Sequence, residues 1–161
     1  MRTVFFTAIA LASCLRCAAA DNVPKCPRAY AGLKVQVEMR DSVLPRGQPI
    51  SVVVTLHNGS TRSVRLRPYM EPSSYWLDFE IYGPAGQKIP WMGTEVKIID
   101  DGTRMTLDPG YFWGRRIDDL RDSYAIATPG RYRIRAVYGV SPHGECSHGS
   151  IVSDPVSFEV R

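Results

Sequence analysis

The stretch Thr128 to Tyr138, T-P-G-R-Y-R-I-R-A-V-Y, constrains the fold of this chain more than any other. Pro129 fixes φ and Gly130 accepts a positive φ, so the pair sets a tight turn. Strict alternation follows. Tyr132, Ile134, Ala136 and Tyr138 fall on one face of a strand, and Arg131, Arg133 and Arg135 on the other. A strand with one wholly apolar face must bury that face against a second layer, so this stretch calls for a sheet packed on another sheet.

The rest of the chain fits around that strand. Leu33 to Met39 alternates throughout and predicts a first strand; Asp41 to Pro49 reads as a loop and Ile50 to His57 as a second strand. Asn58-Gly59 is a turn signal. A third strand is expected over Ser63 to Arg67, with Val64 and Leu66 inward and Arg65 and Arg67 outward, and a fourth over Tyr75 to Tyr82. Further strands are expected at Glu95 to Ile99, Tyr111 to Ile117 and Val156 to Val160, with a helical turn within Asp118 to Ser123. No stretch longer than about ten residues carries a 3.6-residue period. Short strands at even spacing, punctuated by Gly and Pro, predict an all-β fold, an immunoglobulin-like antiparallel β-sandwich of about 7–9 strands. Thr128 to Tyr138 then reads as its sixth strand, with the Tyr132 ring in the core and its hydroxyl bonded back to the corner.

The first residues, basic Met1-Arg2 and then mostly apolar Thr3 to Ala12, end in Ala18-Ala19-Ala20. This reads as a secretory signal peptide over residues 1–20, too short to span a membrane, followed by one domain over 21–161. Leu11-Ala12-Ser13-Cys14 also resembles a lipobox, which would lipidate Cys14 and anchor the protein in the cell envelope. Cysteine parity favours simple cleavage: loss of Cys14 and Cys17 leaves Cys26 and Cys146, a pair suited to a disulfide in an oxidising compartment. The expected location is therefore periplasmic or extracellular.

The formal charge is +4, and removing Arg2 and Arg16 leaves 18 basic against 16 acidic residues, or +2. So small a net charge argues against general nucleic-acid binding. There is no G-x-S-x-G nucleophile elbow and no H-E-x-x-H, and the three histidines His57, His143 and His148 accompany no nucleophile; no catalytic residue and no cofactor is expected. His143, Cys146 and His148 are spaced closely enough to share a Cu or Zn ion. A disulfide to Cys26 would remove the thiolate that such a site needs.

Two surfaces remain as candidates for partner binding. Arg65 and Arg67 of the third strand, with Arg131, Arg133 and Arg135 of the sixth, are expected to share a sheet and form one guanidinium-rich face suited to carboxylates or phosphates. The plainer reading is an ordinary charged face that blocks unwanted strand pairing. Among the aromatics Tyr69, Tyr75, Trp76, Trp91, Tyr111 and Trp113, Tyr75 fits the core, whereas Trp76 and Trp91 fall at strand edges or in loops. There they either anchor a partner or cap the open end of the sandwich. Asn58-Gly59-Ser60 matches a glycosylation sequon and equally reads as a turn.

One pattern runs along most of the mature chain: Leu33-x-Val35-x-Val37; Gly47-Gln48-Pro49-Ile50; Leu56-His57-Asn58; Phe79-x-Ile81; Trp91-Met92-Gly93; Val96-Lys97; Leu107-x-Pro109-Gly110; Asp119-Leu120; Tyr124; and Pro129-Gly130-x-Tyr132. It resembles the immunoglobulin-like pro-domain of deuterolysin-type (aspzincin) metallopeptidases. These motifs are turns and core positions, specific for architecture and not for activity. The sequence reaches Arg161 without a peptidase catalytic domain. The resemblance therefore implies a non-enzymatic pro-domain-like module that binds another exported protein, with binding or inhibition of a secreted metallopeptidase as the case to test. The alternatives are a periplasmic metal or small-ligand binder and an envelope structural protein.

Overall fold

A computed structural model describes residues 30–72, 76–93, 101–139 and 149–161. They hold ten strands: β1 (Leu33–Met39), β2 (Val43–Leu44), β3 (Val52–Asn58), β4 (Val64–Leu66), β5 (Leu77–Tyr82), β6 (Met105–Leu107), β7 (Phe112–Ile117), β8 (Gly130–Gly139), β9 (Ser150–Val152) and β10 (Val156–Val160). No α-helix occurs among the described residues, and none of their helical segments is long and apolar enough to cross a membrane. The 3-10 turn Leu120–Asp122 lies in the predicted helical stretch.

The strands form a three-stranded sheet in the order β1-β3-β7, a five-stranded sheet in the order β2-β10-β8-β5 with β9 added to β8, and a small β4-β6 pair. Once the short β2, β4, β6 and β9 are set aside, β1, β3 and β7 form one layer and β5, β8 and β10 the other, the arrangement of strands A, B and E against C, F and G in an immunoglobulin-like sandwich. β8 is central, as its alternation predicts, pairing antiparallel with β5, β9 and β10.

The core follows the period of two. Val35 and Val37 of β1, Val52, Val54 and Leu56 of β3, Leu77, Phe79 and Ile81 of β5, and Tyr132, Ile134, Ala136 and Tyr138 of β8 are all buried between the layers. The Tyr132 ring stacks on Phe158 at 5.2 Å, and its hydroxyl donates to the Thr128 carbonyl at 2.6 Å, closing the corner predicted from Thr128 to Tyr132. Gly130 has φ +135°, and a Cβ there would lie 2.6 Å from the Pro84 ring, so both backbone and packing require glycine.

Three motif residues of the pattern above prove to be ties within this fold. Asp119 caps the 3-10 turn, accepting the Arg121 N–H, and also accepts the Ile50 N–H at 3.0 Å, so it fastens the approach to β3. Tyr124 donates to Asp78 at 2.8 Å and accepts the Phe79 N–H at 3.1 Å at the head of β5. Asn58 is fully buried; its amide donates to the carbonyls of Arg62 and Leu107 and its oxygen accepts from Ser60. That side chain is committed to the turn, which settles the sequon in favour of the turn reading in the folded chain.

Several expectations are corrected. β3 begins at Val52, not Ile50, and extends through Asn58, and it makes no hairpin with β4. β4 pairs with β6 and lies in neither large sheet, so Arg65 does not share a sheet with β8. The predicted strand at Glu95 to Ile99, Tyr75, the signal region with Cys14, and Cys26, His143, Cys146 and His148 lie outside the described residues.

Candidate functional site

Arg131, Arg133 and Arg135 project from the outer face of β8, as alternation requires. Each faces a group of its own sheet. The Arg135 guanidinium is ion-paired with Glu80, which also lies 3.9 Å from the Lys88 Nζ. Arg133 lies over the Tyr82 ring, 5.4 Å from its centroid. Arg131 is the cross-strand neighbour of Glu159, whose carboxyl is held below its usual range by Arg161 first and by Arg131 to a lesser degree. A shallow groove of about 470 Å³ runs beside these side chains, lined by Tyr82, Pro84, Arg131, Arg133 and Ser157 among others. The face is basic in sequence and largely compensated in space.

Arg67 does not belong to it. It is 4% exposed, donates to the Thr103 carbonyl at 2.8 Å, and sits over Trp76, 5.4 Å from the ring centroid. Trp76 is buried beneath it, and the Arg67 carbonyl accepts the Tyr138 hydroxyl. The aromatic face and the carbonyl replace part of the hydration that this guanidinium loses on burial. Arg65, one position into the strand, remains exposed. Trp91 is half-buried, packs its ring over Gly93, and forms an isolated β-bridge with Tyr124, so it is a packing residue and not an exposed anchor. Beside it in the sequence, Met92 is the exposed residue.

The strongest exposed apolar feature is on β7. Tyr111 is 67% exposed, Phe112 73% and Trp113 40%. Every residue from Tyr111 to Arg116 is exposed. β7 pairs with β3 on one side, and among the described residues no strand pairs with its other side. Trp113, Arg115 and Ile117 stand opposite Leu56, Val54 and Val52 and share their inward face. At the open side of the sandwich that face is only partly covered. The segment after β4 crosses it, with Trp113 Nε1 donating to the Pro68 carbonyl at 3.3 Å and Arg115 ion-paired with Glu71. Phe112, Gly114 and Arg116 share the outward face with His57, Thr55 and Val53. The period of two could have revealed this patch: Tyr111-Phe112-Trp113 is three consecutive aromatics, and a strand cannot turn all three into one core.

Among the described residues no group of three or more His, Cys, Asp or Glu is placed to hold a metal ion. The neighbouring Tyr69 hydroxyl bonds Asp101 at 2.5 Å and, with the Thr103 N–H, holds that carboxyl down to about 2. Both groups are on the surface, and the contact orders the turn before β6.

No family model matches the chain, and no curated protein matches it. Among solved structures, it is similar to the CARDB domain of a Pyrococcus furiosus protein in complex with di-metal ions, at 16% identity and TM-score 0.41 over 80% of this chain and 87% of that one. It is also similar to an alkylpurine DNA glycosylase of Pseudomonas fluorescens, at 15% identity and TM-score 0.42 over 81% of this chain and 30% of that one. A β-glucosidase of Listeria innocua matches at 14% identity and TM-score 0.39, over 80% and 16%. The strand order of this chain, and not these distant likenesses, is what makes it immunoglobulin-like.

Proposed function

We propose that this chain is an exported, non-enzymatic immunoglobulin-like module that binds another protein through the open edge of β7. The observation that carries the reading is the exposed run Tyr111-Phe112-Trp113 at the start of a strand that, among the described residues, is paired on one side only. Large aromatics held on a rigid strand are the residues that anchor protein interfaces, and an open edge offers backbone hydrogen bonds to an extended partner segment. The secretory character of residues 1–20 supports an exported, periplasmic or extracellular partner. The pro-domain resemblance makes a secreted metallopeptidase the first partner to test.

The test is inhibition of a purified deuterolysin-type metallopeptidase by the mature protein. The expected result is stoichiometric inhibition without turnover of the inhibitor, weakened at least about tenfold by Phe112→Asp, since central aromatic anchors carry most of the binding energy. Because the contact is largely apolar, changing Arg131 and Arg133 to Ala should leave it nearly unchanged across a salt titration. No inhibition or retention of the peptidase would refute the peptidase partner. Inhibition indifferent to Phe112→Asp would move the contact away from β7.

A further inference from the structure

The β7 edge is its own complement. Asn58 N–H donates to the Tyr111 carbonyl at 3.0 Å and Gly110 N–H to the Asn58 carbonyl at 2.7 Å. Hydrogen-bonding direction alternates along an antiparallel ladder, so the backbone groups of Trp113, Arg115 and Ile117 turn toward β3. Those of Phe112, Gly114 and Arg116 then turn to the open side. Around Gly114 the strand reads Phe112-Trp113-Gly114-Arg115-Arg116, aromatic residues on one side of the glycine and arginines on the other.

We propose that β7 pairs antiparallel with β7 of a second copy of this chain about a twofold axis at Gly114, joining two three-stranded sheets into one of six. This rests on the reading of the β7 edge as a contact surface and names a second copy as its occupant in the free protein. In this register Phe112 lies opposite the second copy's Arg116, Gly114 opposite Gly114, and Arg116 opposite Phe112. These three pairs are the outward-turned ones and exchange two backbone bonds each, about six in all. Sheet faces are preserved by such an axis, so Phe112 and Arg116 meet on the outer face, guanidinium against ring. Trp113 meets Arg115 on the inner side by the same symmetry. A register shifted by two residues would instead set Arg115 against Arg115 or Trp113 against Trp113. Gly114 keeps the axis clear of side chains, and any residue there is disfavoured: a Cβ would lie 2.6 Å from the Val54 carbonyl oxygen. The present partners do not hold the arginines strongly, because Arg116–Asp118 and Arg115–Glu71 are exposed pairs.

The experiment is sedimentation equilibrium of the mature protein combined with cysteine pairing. The expected result is a concentration-dependent mass of twice the protomer. Arg116→Glu should weaken the dimer by about tenfold, since it removes two symmetry-related cation–ring contacts, while the circular dichroism spectrum stays unchanged. Phe112→Cys mixed with Arg116→Cys should give a mixed disulfide. Neither variant should do so alone, because like positions then lie four residues, about 13 Å, apart along the strands. A monomer at about 1 mM overturns the proposal, as does a dimer indifferent to Arg116→Glu that forms no mixed disulfide. A monomer that still inhibits a metallopeptidase refutes the second copy alone. A dimer with this register that inhibits no peptidase refutes only that choice of partner.

Discussion

On the five-stranded sheet, Arg131, Arg133 and Arg135 project to solvent and find Glu159, Tyr82 and Glu80 across the neighbouring strands. On the three-stranded sheet, Arg115 and Arg116 stand beside three exposed aromatic residues on a strand whose second side no strand pairs among the described residues. The first region is denser in arginine along the sequence, yet its charges are answered within the sheet. The second offers apolar area together with a strand edge that no other strand covers among the described residues. A surface is marked for binding by what its own fold leaves uncovered, and a charge stripe with cross-strand partners leaves little.

The sharpest way to break this contrast is to compare aromatic residues. Tyr132 is buried and closes the corner, so Tyr132→Ala should cost about 3–5 kcal/mol and Tyr132→Phe about 1 kcal/mol, read from urea unfolding. Phe112→Ala should stay within about 0.5 kcal/mol of the parent. If Phe112→Ala proves as damaging as Tyr132→Ala, the β7 run is core and not contact surface.

A second comparison separates the two arginines of β4 and its exit. Arg67→Ala should destabilise by about 2–3 kcal/mol, because it removes the bond to the Thr103 carbonyl and the charge over Trp76. Arg65→Ala should change stability by less than about 0.5 kcal/mol. Equal effects would mean that Arg67 is not buried in solution.

The smallest effect distinguishes neighbouring carboxylates. Burial alone would raise the Asp119 carboxyl, but the Arg121 side chain and the N–H groups of Ile50 and Arg121 outweigh it and hold it below its usual range. A lowered folded pKa contributes stability above the unfolded value, near pH 4, and that stability is lost as pH falls through the folded pKa. Asp119→Asn should therefore cost about 1 kcal/mol at pH 7, and the cost should shrink as pH falls through the folded pKa. Asp118→Asn, which removes only the exposed pair with Arg116, should leave the urea midpoint at pH 7 nearly unchanged.

Much of the fold was legible in the residues because their period is two. Leu33 to Met39 and the stretch after the Pro129-Gly130 turn became strands with the expected inward faces, since alternation places a side chain wherever the backbone stays extended. Arg67 shows where that reasoning stops. Counting by twos from Arg65 puts it outside, but β4 ends at Leu66; beyond it the chain turns and carries the guanidinium onto Trp76. Trp91 was open to two readings for a similar reason: a tryptophan in a loop is exposed or packed according to what the loop crosses, here Gly93 and Tyr124.

By itself, then, the sequence determined the all-β class, the central strand and its tyrosine corner, because turn chemistry and side-chain alternation are local properties of the backbone. Tertiary structure alone decided that β4 pairs with β6, that the arginines of β8 are answered, and that β7 is the edge of its sheet among the described residues. Those are pairings between residues far apart in the chain. A strand's own residues specify which of its faces is apolar, while its neighbours, selected by the packing of the whole domain, settle whether its edge is covered.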